Sequence, residues 1–487
     1  MKNKKIKLSP FYILFRFFSN YKLLILFLFN IKNTKSSKEF LLMLLLFGLI
    51  NLAYQILSYV NTFYELKEDS LIYNHGFIKK EIKIIQFSNI QNIDSSANIL
   101  YQLFGLVSLD INILNENVKL SPITRNEANS LIHNVNKLPS EDNLLAKDDA
   151  TFKLTLKNLF LLGLLESKII ATILIIMTFL DKIADFFKDF FDFNLKNYLL
   201  SKGEGYPIDI ISFISALFLI LFIIFIISFL LAMIKFYGFT LQNKEDKLIL
   251  KYGLVNKNAL VIKKERIQKI SIIESYKSRL FKLASLEIVT TASNVIDDIS
   301  KNKNNIILIP IAKKEFIDNF LKEVLYLDTA NYEKENYEKT PARAKKIILR
   351  WRIIGCFTVL VLINICLLVL PIEKWKLSVF SIYFISHFAF LILVVFAIGT
   401  YKYNVKNLAI SLSENMIIKK DTFYFNKRID YLKSIKVGSI SIKSNVFLKK
   451  KKLCHIVINS IGKNSDLILP YYEENFVDKV KTYLEKE

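Results

Sequence analysis

The sequence predicts an α+β membrane protein in which transmembrane helical hairpins alternate with three domains, each a bent antiparallel β-sheet closed by a C-terminal helix. Three observations predict this fold: paired long apolar segments, a similar polar segment after each pair, and a strongly basic charge. Of the 487 residues, 52% are hydrophobic and only 12 are glycine, with a net charge of +23. This composition excludes collagen-like and disordered chains. It also indicates a protein facing anionic lipid more than a nucleic-acid binder.

Six segments are apolar over about the 20 residues that a helix needs to cross a bilayer. In chain order they are 11–31, 40–60, 169–187, 208–234, 353–370 and 377–400. The segments 11–31 and 169–187 also carry charged residues, and 11–31 could instead lie partly in the membrane interface. The six spans form three hairpins. Since no small-residue cleavage site follows the first apolar run, we expect an uncleaved anchor.

Charge predicts the side of the membrane on which the polar segments lie. Complete hairpins return the chain to the side it left, so the N-terminus and all three polar segments should share one face. The segments 235–350 and 402–487 are basic, whereas the loop 181–209 holds six acidic residues against four lysines. Because lysine and arginine collect on the cytoplasmic side, we expect a multi-pass protein of the cytoplasmic membrane with cytoplasmic domains. If segment 11–31 does not cross, all three domains lie on the other side.

The polar segments contain an internal repeat. Gly76 and Gln91 are 15 residues apart in the first copy, as are Gly253 and Gln268 in the second. In both copies the segment Leu-Phe-x-Leu-x-Ser-Leu begins 12 residues after the glutamine. A third copy, within 401–487, keeps the strand pattern but lacks the glycine and the glutamine. Two equal spacings between three landmarks indicate repeated domains.

Each copy combines short strands with one closing helix. Alternating and β-branched residues predict strands at 70–73, 82–85, 106–113, 247–251, 259–262, 286–291 and 306–309. Gly76 and Gly253 lie at turns, where glycine suits a positive φ. Closing helices are predicted at 124–135, 313–325 and 473–484, and Thr124 with Glu127 forms a capping box at the first. A bent sheet plugged by one helix is the pleckstrin-homology-like (PH-like) arrangement.

These elements predict six consecutive regions. They are 1–60, a basic segment and the first transmembrane hairpin; 61–138, PH-like domain 1; 150–236, a linker helix and the second hairpin; 237–327, PH-like domain 2; 343–400, the third hairpin; and 401–487, a degenerate PH-like domain 3.

With hairpins and repeated Gly, Ile-Gln and Leu-Phe-x-Leu-x-Ser-Leu landmarks, the chain resembles the bacterial PH-domain membrane proteins of the YdbS/YdbT-like family, in their longer three-unit arrangement. The resemblance covers nearly the whole chain and is weakest in the third copy. It implies PH-like domains anchored by transmembrane helices and brings no catalytic residues. For some members it implies an association with tolerance to membrane-active peptides.

The candidate binding residues are basic side chains near the predicted membrane. They form a cluster in the second copy, Lys263, Lys264, Arg266 and Lys269, and a run in the third copy, Lys449, Lys450, Lys451 and Lys452. Such clusters attract anionic lipid by about 1 kcal/mol per charge, and a solvated loop is an equally open alternative. Gln91 and Gln268 could contact a partner, although a role at a strand edge or bulge is favoured.

The sequence contains no motif for catalysis or metal binding. It has no phosphate-binding loop, nucleophile elbow or His-Glu-x-x-His segment, and no helix-turn-helix, zinc-finger or RNA-recognition signature. Its three cysteines and four histidines lack metal-ligand spacing. We therefore expect no enzymatic activity, no cofactor, no metal and no nucleic-acid partner.

Two functions stay open on these observations. One is a non-enzymatic binding and scaffolding protein, whose PH-like domains contact anionic lipid, recruit a protein partner or self-associate. Envelope protection against membrane-active peptides is the role that the resemblance implies for it. The alternative is a transporter or efflux-like component with a path through the six helices. The charges of 181–185 and the intramembrane His387 motivate that alternative, but polar residues in the spans are few, which favours scaffolding.

Overall fold

The computed structural model of the chain describes residues 5–19, 37–78, 80–113, 117–136, 151–165, 210–290, 305–333, 335–369, 379–413, 415–423, 425–460 and 466–485. The chain divides into two compact units, Met1–Glu265 (unit 1) and Arg266–Glu487 (unit 2). Each unit contains antiparallel sheets and helices, and each is described by itself.

Two antiparallel sheets form the β-structure of unit 1. Its strands are β1 (Lys5–Lys7), β2 (Phe63–Leu66), β3 (Ser70–His75), β4 (Glu81–Gln86), β5 (Ile90–Ala97), β6 (Leu106–Ile113), β7 (Asn117–Thr124), β8 (Phe152–Lys153), β9 (Thr240–Lys244), β10 (Lys247–Tyr252) and β11 (Lys257–Lys263). One sheet has the order β1-β2-β3-β4 and the other the order β7-β6-β5-β11-β10-β9-β8.

Unit 2 also has two antiparallel sheets. Its strands are β12 (Ile267–Glu274), β13 (Leu283–Thr290), β14 (Ile306–Lys313), β15 (Glu338–Lys339), β16 (Ala409–Ser413), β17 (Met416–Phe423), β18 (Asn426–Lys433), β19 (Val437–Lys443), β20 (Leu453–Ser460) and β21 (Leu467–Glu473). The sheet orders are β14-β13-β12-β18-β17-β16-β15 and β19-β20-β21.

The described helices are numbered in chain order. They are α1 (Phe11–Ser19), α2 (Ser37–Asn61), α3 (Ile99–Leu103), α4 (Arg125–Asn136), α5 (Leu156–Leu165), α6 (Ile210–Phe236), α7 (Tyr276–Leu280), α8 (Lys314–Val324), α9 (Thr329–Glu333), α10 (Ala342–Val369), α11 (Val379–Asn407), α12 (Val446–Lys449) and α13 (Glu474–Glu485). The predicted closing helices are confirmed as α4, α8 and α13. The capping box is confirmed too, since the Glu127 amide donates to Thr124 Oγ1 at 3.3 Å and the Thr124 amide donates to Glu127 Oε2 at 3.0 Å.

The first and third copies of the repeat each have a core that joins two sheets and the closing helix. In the first copy, Leu71 of β3, Leu109 of β6 and Leu131 of α4 belong to one cluster and are at most 1% exposed. In the third copy, the corresponding cluster contains Ile417 of β17 and Val480 of α13, both fully buried. Burying one such side chain contributes about 1.5–3 kcal/mol, so these contacts fold each sheet pair against its helix.

Two strand pairs join one copy of the repeat to the next. Strand β5 of the first copy pairs with β11 of the second, with Asp94 opposite Leu260; this pair is named seam 1 and lies in unit 1. Strand β12 of the second copy pairs with β18 of the third, with Ser271 opposite Asp430; this pair is named seam 2 and lies in unit 2.

Because of the seams, the sheets are out of phase with the sequence repeat. The predicted domain 237–327 contributes β9–β11 to a sheet of unit 1 and β12–β14 to a sheet of unit 2. The sequence analysis predicted no pairing between strands of different copies, and the domain bounds 237–327 stay a prediction. The difference arises because the outer edge of β5 or β12 offers backbone donors and acceptors that can pair with another strand, and local sequence does not name that partner.

The turn glycines adopt the predicted backbone conformation. Gly76 and Gly253 have φ values of 97° and 104°, in the turns before β4 and β11. A Cβ atom at Gly253 would lie 1.9 Å from the Asn256 carbonyl oxygen, so any other residue would displace this turn. In the third copy, β17 and β18 pair up to Phe423 and Asn426. The connection between these strands is therefore two residues long, shorter than the turns that hold Gly76 and Gly253.

The landmark glutamines lie at β-bulges. The register between β5 and β6 shifts at Gln91, and that between β12 and β13 shifts at Gln268, so each is the extra residue of a bulge. Gln268 is 3% exposed and donates through Nε2 to the Arg266 carbonyl oxygen at 3.4 Å, whereas the side chain of Gln91 lies outside the described residues. The third copy has its bulge at Gly438, so the bulge does not require a glutamine.

A short strand precedes each pair of predicted spans and pairs with the strand that follows them. β1 pairs with β2, β8 with β9, and β15 with β16. The sheets thus begin before the helices, whereas the predicted domains begin after them, at residues 61, 237 and 401. Strands of two or three residues are too short to show a hydrophobic period in the sequence.

Four long helices coincide with predicted spans. Helices α2, α6, α10 and α11 have 25, 27, 28 and 29 residues, or roughly 37–44 Å at 1.5 Å per residue. Among the described residues, Ser386–Asn407 is long and apolar enough to cross a membrane, and Leu45–Asn61 and Phe225–Phe236 are shorter apolar helices. Of the predicted spans 11–31 and 169–187, only α1 is described. The six-helix alternation therefore stays a prediction.

Candidate membrane-contacting site

Each copy of the repeat carries a short helix of the same construction after its bulged strand. These helices are α3, α7 and α12, and the N-cap side chain of each accepts a hydrogen bond from the backbone amide three residues later. The residue that ends each segment has a positive φ: Gly105, Lys282 or Lys452. The segments 98–105, 275–282 and 445–452 are named tip 1, tip 2 and tip 3.

All three tips expose large apolar side chains. Leu103 in tip 1 is 73% exposed, Leu280 in tip 2 is 80% exposed and Phe447 in tip 3 is 79% exposed. The other exposed apolar residues of the tips are Ile99, Leu100, Phe104, Tyr276, Phe281 and Val446. Contiguous exposed apolar surface marks a contact with protein or membrane.

Tip 1 lies at the C-terminal end of the apolar helix α6. The turn between β10 and β11 meets this end, where the Leu254 amide donates to the Ile234 carbonyl oxygen at 3.0 Å. Gln102 of tip 1 contacts the same turn, because its Nε2 donates to the Val255 carbonyl oxygen at 2.8 Å. A membrane surface around the end of α6 would therefore be close to tip 1.

Tip 2 lies at the C-terminal end of the apolar helix α11. Its Arg279 donates hydrogen bonds to the Tyr403 hydroxyl and to the Phe425 carbonyl oxygen, and the guanidinium carbon is 5.0 Å from the Tyr403 ring centre. Tyr403 belongs to α11, and Phe425 lies in the turn between β17 and β18. Arg279 and Gln102 occupy the same position of the repeat, so tips 1 and 2 contact the hairpin turn of the next copy alike.

Tip 3 lies beside the N-terminal end of the long helix α10. Its Leu448 is 5% exposed and belongs to a small cluster with Ala344 and Ile347 of α10. The run Lys449, Lys450, Lys451 and Lys452 is exposed along its whole length. The exposed Trp351 of α10 follows one turn beyond Ile347, and tryptophan favours the membrane–water interface. Tip 3 thus combines apolar side chains with four cations at the end of a predicted span.

A basic cleft of about 330 Å³ opens beside seam 1. Its lining includes Arg125, Lys251 and Lys257, and among the described residues that line it no carboxylate is present. Asn258 is 5% exposed in its wall, and its Oδ1 accepts no hydrogen bond from the described part of the chain. Tyr237, directly after α6, also lines the cleft, so the cleft offers cations to an anionic group near the end of that helix.

The predicted cluster in the second copy is divided between the two units. Lys263 ends β11, and Lys264 lies in the following 3₁₀ turn; both are half-buried and belong to unit 1. Arg266, at the end of that turn, is half-buried and belongs to unit 2. Lys269 is 5% exposed in β12, opposite Leu432.

The prediction that Lys269 contacts lipid is wrong, because its side chain is buried. Burial lowers the pKa of its ammonium group, and the nearby Asp430 offsets this effect only in part. A side chain enclosed in seam 2 cannot reach a lipid headgroup. The sequence analysis missed this because Lys269 stands in a polar stretch, and only the pairing of β12 with β18 buries it.

The buried carboxylates of the two seams also escaped the sequence analysis. Asp94 in seam 1 is fully buried, and burial raises its pKa to about 7 despite hydrogen bonds from Asn92 and Asn112. Asp430 in seam 2 is 5% exposed, and burial alone would raise its pKa too. The charges of Arg428 and Lys269 instead hold it below its usual range. No local pattern distinguishes these aspartates from surface ones.

The apolar residues of the tips were visible in the sequence but were not assigned as a site. Leu103-Phe104 and Leu280-Phe281 are the Leu-Phe of the repeated landmark, and Lys450-Lys451 replace them in the third copy. Two apolar residues directly before a residue of positive φ were the available signal.

Polar groups proposed for a transport path are described only in part. His387 is exposed on α11, and its Nδ1 atom lies 3.2 Å from the Oγ atom of Ser386. The charged segment 181–185 lies outside the described residues. The described residues therefore show no convergence of polar groups between helices around His387.

Comparison with known proteins matches the repeated domains. The family model described as "Bacterial PH domain" matches residues 21–138 and 190–324, just over half of the chain. The chain is also similar to the "UPF0699 transmembrane protein YdbT" of Bacillus subtilis (strain 168), with 22% identity over 330 residues. That match covers 63% of this chain and 64% of the relative's length. No solved structure matches the chain significantly.

Proposed function

We propose, since this chain belongs to the bacterial PH domain family, that it is a non-enzymatic membrane protein whose PH-like domains bind anionic lipid headgroups and scaffold an assembly on the membrane. Tip 3 is the observation that carries the proposal. Its exposed Val446 and Phe447 suit the apolar boundary of a bilayer, and its four lysines suit anionic headgroups. The packing of Leu448 on Ala344 and Ile347 of α10 holds this tip roughly two turns before the predicted span 353–370.

Strand pairing supports the hairpin arrangement. Because β1 pairs with β2, any crossings of the membrane between Lys7 and Phe63 would be even in number. The same holds between β8 and β9 and between β15 and β16. Even numbers of crossings would keep the strands of each sheet on one side, and the basic excess of the segments 235–350 and 402–487 favours the cytoplasmic side. Protection against membrane-active peptides would follow from occupying anionic headgroups at this surface.

We expect the lysines of tip 3 to attract the tip to anionic bilayers. The chain, with its native cysteines replaced by alanine and Phe447→Cys carrying an environment-sensitive fluorophore, is reconstituted in zwitterionic or phosphatidylglycerol-containing nanodiscs. The fluorophore should report an apolar environment in the anionic discs. The double substitution Lys450→Gln with Lys451→Gln should weaken the binding free energy of the tip by about 2 kcal/mol, because each lysine near the surface contributes about 1 kcal/mol. The ratio of bound to free tip should then fall roughly 30-fold.

The matched control removes two other lysines of the same domain. Lys479→Gln with Lys481→Gln changes the net charge equally but alters α13, and should leave the fluorescence unchanged. Added salt should weaken the anionic effect. Equal emission in both kinds of disc, or an equal loss in both double variants, would contradict lipid binding by tip 3.

Sidedness is tested by labelling intact cells with an impermeant thiol reagent. In the cysteine-free chain we expect Asp192→Cys, in the acidic loop 181–209, to be labelled without permeabilisation. Ser130→Cys on α4 and Lys481→Cys on α13 should be labelled only after permeabilisation. Labelling of the two domain positions in intact cells would place the PH-like domains outside the cytoplasm.

A further inference from the structure

Two strand edges lack the partners that their counterparts have. Among the described residues, β4 pairs only with β3, and β19 pairs only with β20. By position in the repeat, β4 corresponds to β11 and β18, which the seams pair with the preceding copy. In the same way, β19 corresponds to β5 and β12, which the seams pair with the following copy. The first copy therefore offers one half of a seam and the third copy offers the other half.

The two seams have the same register, which fixes what a third would look like. A 3₁₀ turn separates the seam strands within every copy, at Phe87–Asn89, Lys264–Arg266 and Ser434–Lys436. Counted from these turns, Asp94 opposite Leu260 and Ser271 opposite Asp430 are the same pair of positions. The equivalent residues of the free edges are Ser441 in β19 and Lys83 in β4.

This register brings complementary side chains together. It places Ile82 opposite Ile442, Ile84 opposite Ile440 and Glu81 opposite Lys443. Apolar and opposite-charge cross-strand pairs stabilise antiparallel strands. Seam 2 has an opposite-charge pair at the neighbouring position, one residue further from the turns, where Glu274 of β12 lies opposite Lys427 of β18.

Exposure of the free edges matches a missing partner. Ile82, Ile84 and Ile442 are 65%, 68% and 48% exposed, whereas Tyr431 and Ile272, at the equivalent positions of Ile84 and Ile442 in seam 2, are 4% and 1% exposed. Exposed apolar strand edges are templates for pairing with another chain.

The core of the first copy shows what the missing strand would do. Val261 of β11 comes from the second copy but belongs to the core cluster of the first. Its counterpart in the first copy is Ile84, which points away from its own core, since the next residue, Ile85, lies in that core. Ile440, half-buried at the edge of the third core, is the side chain that Ile84 would cover.

Tip 3 and the first hairpin turn also lack the contact that their counterparts make, as far as the described residues show. Gln102 and Arg279 donate to the hairpin turn of the next copy, at Val255 and Phe425. The equivalent residue of tip 3 is Lys449, and the equivalent turn position of the first copy is Ile78. Ile78 is 81% exposed, and Lys449 is exposed as well.

We propose that β19 of one copy of this chain pairs with β4 of a second copy, forming between chains the seam that occurs twice within each chain. The occupant of both edges is this same chain, because register, apolar pairs and the Glu81–Lys443 charge pair are complementary within its own sequence. Such a contact is head-to-tail, so it generates a ring or an open row of copies. It deepens the scaffolding part of the proposed function, and it requires no binding of lipid by tip 3.

Disulfide trapping in membranes tests this contact on the full chain. Two differently tagged cysteine-free chains are co-expressed, one with Ile82→Cys and the other with Ile442→Cys, and oxidised. Directly opposite residues of an antiparallel pair are close enough for a disulfide, so a covalent dimer carrying both tags is expected. Lys83→Cys is the matched control for Ile82→Cys, because its side chain points to the other face of β4, and should give at least tenfold less dimer.

The same chain with Ile82→Cys and Ile442→Cys together should give dimers and larger products. A monomer with an internal disulfide and no larger products would show that the chain closes on itself, and would overturn the proposal. No dimer, or as much dimer with Lys83→Cys, would overturn it as well. Glu81→Lys should lower the dimer yield about threefold, and Lys443→Glu on the partner chain should restore it. The fluorescence of tip 3 is a separate readout, so failure of lipid binding and failure of self-assembly are distinguishable.

Discussion

Replacing Asp430 by asparagine is expected to lower the stability of seam 2 by about 3 kcal/mol, because it removes the carboxylate that bonds to Arg428 and that most favours the charged form of the buried Lys269. Asp430 accepts hydrogen bonds from Ser271 Oγ at 2.6 Å and from Arg428 Nε at 2.7 Å. Arg428 also donates to Ser271 Oγ at 2.9 Å. Without Asp430, Arg428 and the buried Lys269 would keep their mutual repulsion and lose the carboxylate that contributes most to offsetting it. Removing one partner of a buried ion pair costs about 3–5 kcal/mol. The lower value is expected here because the Arg428 side chain is 27% exposed.

Hydrogen–deuterium exchange of the β12 and β18 amides in the full chain measures this loss. A loss of 3 kcal/mol corresponds to exchange faster by on the order of 100-fold where opening is local. Glu338→Gln is the matched control, because it makes the same change in the exposed pair of Glu338 and Lys479, worth less than about 1 kcal/mol. Equal exchange in the two variants would contradict a stabilising role for the buried carboxylate.

Replacing Asp94 by asparagine is expected to have the opposite sign at high pH and to strengthen seam 1. Asp94 is fully buried, and its oxygens accept from Asn92 Nδ2 at 2.9 Å and from Asn112 Nδ2 at 2.7 Å. No cation among the described residues bonds to it. Burial therefore dominates and raises its pKa to about 7. The Oδ1 atoms of Asn92 and Asn112 accept no hydrogen bond from any described residue, so a neutral group at position 94 has an acceptor beside it.

The sign of the pH effect follows from proton binding. The unfolded chain releases the Asp94 proton near pH 4, whereas the folded chain holds it up to about pH 7. Between these values the folded state binds more protons, so its stability falls as pH rises. Above pH 7 the full cost is about 4 kcal/mol. Asparagine at this position removes that cost.

Exchange of the β5 and β11 amides, compared between the two proteins at equal pH, checks this prediction. Below pH 4 the wild type and Asp94→Asn should exchange alike, because the group at position 94 is then largely neutral in both the folded and the opened states. At pH 8 the variant should exchange more slowly, by at least tenfold. Faster exchange of the variant at pH 8 would mean that the ionised carboxylate stabilises seam 1.

The two seams should consequently respond to pH in opposite directions. Asp430 has a lowered pKa, so its contribution is present above the unfolded value near 4 and is lost as pH falls through its folded value. Asp94 instead weakens seam 1 as pH rises from about 4 to about 7. The aspartates occupy opposite strands of equivalent pairs, so the neighbouring side chains decide the direction.

Much of the fold could be predicted because it rests on local interactions. The capping box of Thr124 and Glu127 needs only a spacing of three residues, and the positive φ of Gly76 and Gly253 needs only a turn between two strands. The closing helices were predicted to within two residues from their amphipathic period. The equal spacing from glycine to glutamine identified the repeat, since each landmark has the same local role in both copies.

The candidate site was predicted less well. The run Lys449 to Lys452 is exposed as expected, but Lys269 is enclosed in seam 2, and the apolar residues of the tips were not assigned. Charge and hydropathy along the chain cannot separate a cation on a tip from one between two strands. That distinction depends on which strand lies next to β12.

The sequence by itself determined the repeated PH-like units, their closing helices, four long apolar helices and the turn and bulge positions, because each follows from residues close together in the chain. Only the tertiary structure decided that β5 pairs with β11 and β12 with β18, and that the sheets run half a repeat out of phase with the sequence. The physical reason is that backbone donors and acceptors on a strand edge are alike in every sequence. The choice of partner therefore depends on the packing of distant side chains, as Val261 in the core of the first copy illustrates.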